Sequence, residues 1–171
     1  PERLDPDHGE LTIQLEPSLA ASMRDGLKYL QEYPYGCIEQ TVSRFLPNVM
    51  TYRALKTLDV EDPELEARLP QFVSTSLQRL YAMQHYDGGW GWWLADDSNP
   101  FISAYALLGM NAAAEAGFAV DHRVMGRAAK YLHGELDSGT EITLSPNTRA
   151  FVLYVLAEYG DGDLGRTVAL F

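Results

Sequence analysis

Gln84-His85-Tyr86-Asp87-Gly88-Gly89-Trp90-Gly91-Trp92-Trp93 holds all three tryptophans of a 171-residue chain. Asp-Gly-Gly marks a tight turn at which the backbone takes positive φ. Upstream, Leu65, Leu69, Phe72, Leu77 and Leu80 recur at helical steps and predict a helix over residues 64–84. Downstream, Asn99-Pro100 offers an N-cap and a first-turn proline, and Gly117 a stop. The run is therefore a turn joining two helices. Trp90 and Trp92 are expected to form an aromatic plug across the helix ends.

Further helices follow in both directions. Leu19, Met23, Leu27 and Leu30 predict one after Pro17, with Ser18 as its N-cap. Another starts near Cys37 and runs through Val42, Phe45 and Val49 to Leu58, with a kink expected at Pro47. Asp121 opens a helix expected to end near Gly134. Ser145-Pro146 and Gly160 bracket the next, and a short one starts near Asp163. Three apolar segments, at residues 52–55, 105–108 and 151–154, recur about every 50 residues, and the first two helices are each followed by a more polar one. Stacked helical hairpins fit this spacing, as an α-solenoid or a closed α/α toroid, and an irregular bundle stays open. Residues 10–16 alternate apolar and polar and read as a single strand. A lone strand cannot satisfy its ladder, so it is expected to be a remnant of a neighbouring β domain.

Composition excludes several classes. Hydrophobic residues make up 46% of the chain, enough for a core and too many for disorder. A net charge of −11 argues against nucleic-acid or anionic-membrane binding. No apolar run approaches the roughly 20 residues of a membrane helix, so direct membrane insertion is not expected. The chain starts at Pro1 and reads as an excised segment, so the missing signal sequence says nothing of compartment. No metal or cofactor is expected.

The single cysteine, Cys37, precludes an internal disulfide and is either a small buried hydrophobe or a reactive group. Gly36-Cys37-Ile38-Glu39-Gln40 places Cys37 and Gln40 three apart at a helix start, on one face. Bonding the Cys37 sulfur to the Gln40 side-chain carbonyl carbon closes a ring of about 15 atoms, large enough for trans peptides. The positive end of a helix favours a thiolate first and an oxyanion later. A thioester formed in this way must be kept from water. Tyr33 and Tyr35 are candidate lid residues. Two readings compete: a cysteine-nucleophile hydrolase, which needs a base near Cys37, and a noncatalytic helical-toroid binding module.

Two resemblances narrow these readings. Gln84 followed by Gly-x-Trp resembles the QW motif of terpenoid cyclases, where the glutamine ties off helix-end groups and the tryptophan covers the turn. That implies the toroid and not the cyclase chemistry, because Asp96-Asp97 is not the Asp-x-Asp-Asp acid of hopene-type cyclases. Pro34-Tyr35-Gly36-Cys37-Ile38-Glu39-Gln40 resembles the Gly-Cys-x-Glu-Gln thioester motif of the α2-macroglobulin and complement family. Ile38, where vertebrate members usually have glycine, is similar to bacterial members. Residues 41–47, 87–93 and 104–105 extend the likeness over about 18–171.

The resemblance implies an all-α fold, a partial α/α toroid of helical hairpins. Residues 1–17 would be the remnant of an adjoining β domain and 18–171 the N-terminal part of the thioester domain. It implies that Cys37 supplies the sulfur and Gln40 the acyl carbon, with Gly36 and Glu39 as supporting motif positions. It implies part of a broad-spectrum protease inhibitor and not an enzyme. Its partners would be target proteases, captured through lysine amines, and other domains of the same full-length protein. The parent would be periplasmic or in the cell envelope, with this segment itself soluble. Complement members place a histidine on a later loop, which redirects the thioester to hydroxyls. Here that region is short, no histidine follows His133, and Asn147 is the polar candidate for a modulator.

Overall fold

Six helices succeed one another among the residues described, 36–137 and 144–170 of a computed structural model. They are α1 (Ile38–Thr57), α2 (Pro63–Met83), α3 (Pro100–Glu115), α4 (His122–Asp137), α5 (Pro146–Tyr159) and α6 (Leu164–Val168). The expected strand at residues 10–16, the helix after Pro17, Tyr33 and Tyr35 all lie outside the described residues.

Short polar side chains start the helices. Asp62, Asn99, Ser145 and Asp163 each accept a backbone N–H of the first turn, with a proline following the first three. Gly160 ends α5 in the left-handed conformation, with φ 91°. α1 runs through Pro47 as one helix. α4 continues to Asp137, past the end expected at Gly134. Its buried face of Val124, Met125, Ala128, Ala129, Leu132 and Leu136 keeps helical spacing across the glycine. One interior glycine costs only about 1 kcal/mol, less than that packing supplies.

α3 is the centre of the assembly. Ile102, Ala104, Ala106, Leu107, Met110 and Ala113 are wholly buried and lie around much of its circumference. A helix apolar on most sides needs neighbours on most sides. α3 packs against α1, α4 and α5, while α2 packs chiefly on α1. α1, α3 and α5 are thus side by side, and α2 and α4 lie against them as hairpin partners. Close approach of α1 and α3 depends on Gly109, where an added Cβ would sit 2.8 Å from Phe45 Cζ and 2.9 Å from Val42 Cγ1.

The turn at residues 84–93 joins α2 to this centre. Gln84 Nε2 donates to the Gly88 and Val124 carbonyls, both at 2.9 Å. Trp90 is fully buried and its indole N–H donates to the Leu80 carbonyl at 2.8 Å. Its backbone is held by Ser103 Oγ at 2.8 Å and by the Asn99 N–H at 2.8 Å. Trp92 departs from the expected plug: the residue is 42% exposed. Trp90 already fills the interior beneath the turn, and Trp92 contributes its backbone carbonyl instead.

Candidate functional site

Cys37 is the N-cap of α1, with φ −70° and ψ 168°. The extended backbone aims its side chain back over the first turn. Cys37 Sγ accepts the Gln40 backbone N–H at 3.4 Å, and Gln40 Oε1 accepts the Cys37 backbone N–H at 3.3 Å. This reciprocal pair has the form of a capping box, with sulfur in place of the usual hydroxyl. Cys37 is 5% exposed and Gln40 half-buried, so the pair sits at the edge of the interior.

Neighbouring elements hold both sides of Cys37. The Ile38 N–H donates to the Trp92 carbonyl at 2.9 Å, so the tryptophan turn caps the start of α1. Arg79, from the last two turns of α2, donates to the Gly36 carbonyl. The Cys37 carbonyl accepts Thr41 Oγ1 at 2.8 Å and Thr41 N at 2.9 Å. Glu39 Oε1 accepts Ser43 Oγ at 2.6 Å, and Ser43 contacts the Tyr105 hydroxyl at 3.1 Å. Glu39 is therefore fixed in the first turn, where a carboxylate complements the helix dipole.

The arrangement brings Gly36, Cys37, Glu39 and Gln40 together. Asn147 is exposed in the first turn of α5, and no hydrogen bond joins it to Cys37 or Gln40. His85 Nδ1 contacts Ser98 Oγ at 2.8 Å, and His133 Nε2 contacts Asp161 at 3.0 Å. Sequence reasoning missed Arg79, Ser43, Tyr105 and the Trp92 carbonyl. Arg79 is 43 residues from Gly36, and a backbone carbonyl leaves no signature in residue type. Among the described residues no cluster of three or more His, Cys, Asp or Glu is placed to hold a metal, and no helix is long and apolar enough to cross a membrane.

Chemically, a sulfur and a side-chain carbonyl stand at one helix start, with a backbone N–H on the carbonyl oxygen. Among the described residues, that defines a helical domain organised around a Cys–Gln pair. The A-macroglobulin TED domain matches residues 12–140, and the chain belongs to that family. The alpha-2-macroglobulin of Thermotoga maritima is 37% identical over 120 residues, 70% of this chain and 7% of that protein. That of Escherichia coli is 31% identical over 126 residues, 72% of this chain and 7% of that protein. The crystal structure of native Escherichia coli alpha-2-macroglobulin, from domain MG7 to the C-terminus, aligns with TM-score 0.68 and 29% identity over 86% of this chain and 25% of that one. Salmonella alpha-2-macroglobulin reacted with methylamine aligns with TM-score 0.70 and 26% identity over 91% of this chain and 11% of that one. The chain thus spans only 7% of the length of each of the two curated relatives.

Proposed function

We propose that Cys37 and Gln40 form an internal thioester, and that this domain gives a protease trap of the alpha-2-macroglobulin type its covalent arm. The observation that carries the reading is the reciprocal bonding of Cys37 and Gln40. In formation, the Cys37 thiolate adds to Gln40 Cδ. The C–S bond forms, the C–N bond breaks, and nitrogen leaves as ammonia with the thiol proton. Gln40 Oε1 carries the negative charge of the tetrahedral intermediate, and the Cys37 N–H is already directed at it. In capture, a lysine amine adds to the same carbon and the C–S bond breaks. The products are an amide and the Cys37 thiol.

One related structure supports this reading, that of Salmonella alpha-2-macroglobulin reacted with methylamine, a small amine. The remaining expectations belong to the same proposal. The hairpins close, with further helices, into an α/α toroid; Tyr33 and Tyr35 cover the ester; Asn147 modulates acceptor choice. The inhibitor acts in the periplasm or cell envelope, on proteases that cut a bait region in another domain. A cysteine hydrolase would need a base hydrogen-bonded to Cys37, whereas the partners of His85 Nδ1 and His133 Nε2 are Ser98 and Asp161.

Peptide mapping tests the chemistry. In freshly prepared parent protein, methylamine is expected to convert Gln40 to its methylamide and expose Cys37 to alkylation. Labelling of Cys37 before methylamine, with Gln40 unmodified afterwards, overturns the proposal. Tyr33→Ala and Tyr35→Ala are each expected to speed spontaneous hydrolysis; unchanged rates in both remove the lid assignment.

A further inference from the structure

We infer that Arg79 is a positioning residue for the acyl oxygen of Gln40, acting through the Gly36–Cys37 peptide; this rests on the thioester reading above. The carbonyl of that peptide accepts the Arg79 guanidinium. The N–H of the same peptide belongs to Cys37 and donates to Gln40 Oε1 at 3.3 Å. A cation on one end of a conjugated peptide draws electron density from the other and makes its N–H a stronger donor. Oε1 is the atom that turns negative when an amine adds to Gln40 Cδ. Arg79 therefore reinforces a donor aimed at the developing oxyanion without touching the reacting atoms. As the intermediate collapses, the C–S electron pair leaves on Cys37 Sγ and the proton from the amine passes to it, giving amide and thiol.

Gly36 belongs to the same device. An ideal Cβ at Gly36 would lie 2.6 Å from Arg79 Nη2 and 3.0 Å from Arg79 Cζ. The missing side chain is the space in which the guanidinium reaches the carbonyl. The motif glycine and an arginine on another helix thus form one interlock, which also ties the start of α1 to the end of α2.

The test is the second-order rate of thiol release by methylamine, measured in the parent protein with its adjoining domains. Arg79→Ala is expected to slow it about tenfold, a part of the roughly hundredfold or greater loss on deleting an oxyanion donor. Arg79→Lys, which keeps the charge, recovers most of the rate. Gly36→Ala slows release like Arg79→Ala, and the double variant is no slower than the slower single one, because both break one contact. Equal rates in wild type and Arg79→Ala, or losses that multiply in the double variant, overturn the assignment and leave the thioester standing. No methylamine-released thiol in the wild type overturns both. Should Arg79→Ala fail to fold, Arg79→Lys against Arg79→Gln decides. A faster Lys variant supports the charge, and equal rates contradict it.

Discussion

At the scale of single residues, two glycines and two tryptophans show how unlike roles hide under the same letters. Gly88 takes φ 97°, and a Cβ there would collide with the Arg127 carbonyl. Gly88→Ala is therefore expected to destabilise by about 1–3 kcal/mol, read as a lower midpoint in urea unfolding. Gly36 leaves the space that the Arg79 guanidinium occupies. Trp90 is fully buried with its indole N–H bonded to Leu80. Trp90→Ala should cost about 3–5 kcal/mol, whereas Trp92→Ala, at a residue that is 42% exposed, should cost under about 1 kcal/mol. Equal losses in the same unfolding experiment would contradict the division of labour between the two rings. Gly-Trp-Gly-Trp-Trp announces a turn with aromatic content. Which ring enters depends on the path of the chain beneath it, and alternation alone does not encode that.

At the scale of elements, helix starts were the most legible feature. Asn99, Ser145 and Asp163 cap as their chemistry dictates, because capping is decided within one turn of chain. Asn99 accepts from both the Phe101 and Ile102 N–H, so Asn99→Ala should lower stability by about 1 kcal/mol, seen as a lower Tm. The end of α4 was misplaced because Gly134 is a local signal, overruled by the nonlocal burial of Leu136. The Cys37–Gln40 pairing was legible from spacing and motif. Its supports on α2, α3 and the tryptophan turn were not, because they come from distant segments. α4 also carries a pH-dependent group. Burial, then the nearby Asp87 carboxylate, push the Glu135 carboxyl above its ordinary value of 4.5. The folded chain then holds this proton more tightly than the unfolded one. Stability from Glu135 is greatest below its unfolded pKa and falls as pH rises through the raised folded value. Glu135→Gln is expected to raise Tm at about pH 7 and to change it little at about pH 4. An equal shift at both would remove the electrostatic explanation.

At the scale of the whole molecule, α1, α3 and α5 lie side by side among the described residues, with α2 and α4 packed against them. This packing positions the site. It sets the end of α2 and the tryptophan turn against the start of α1, and so fixes Cys37 from both sides. The proposed Cys37–Gln40 bond is expected in the native parent protein. Its most direct test is the intact mass of that protein, freshly prepared and never exposed to amines. The expected mass is below that of the sequence by one ammonia, and methylamine treatment should add one methylamine together with one new thiol. The full sequence mass with a titratable Cys37 thiol before any treatment would contradict it.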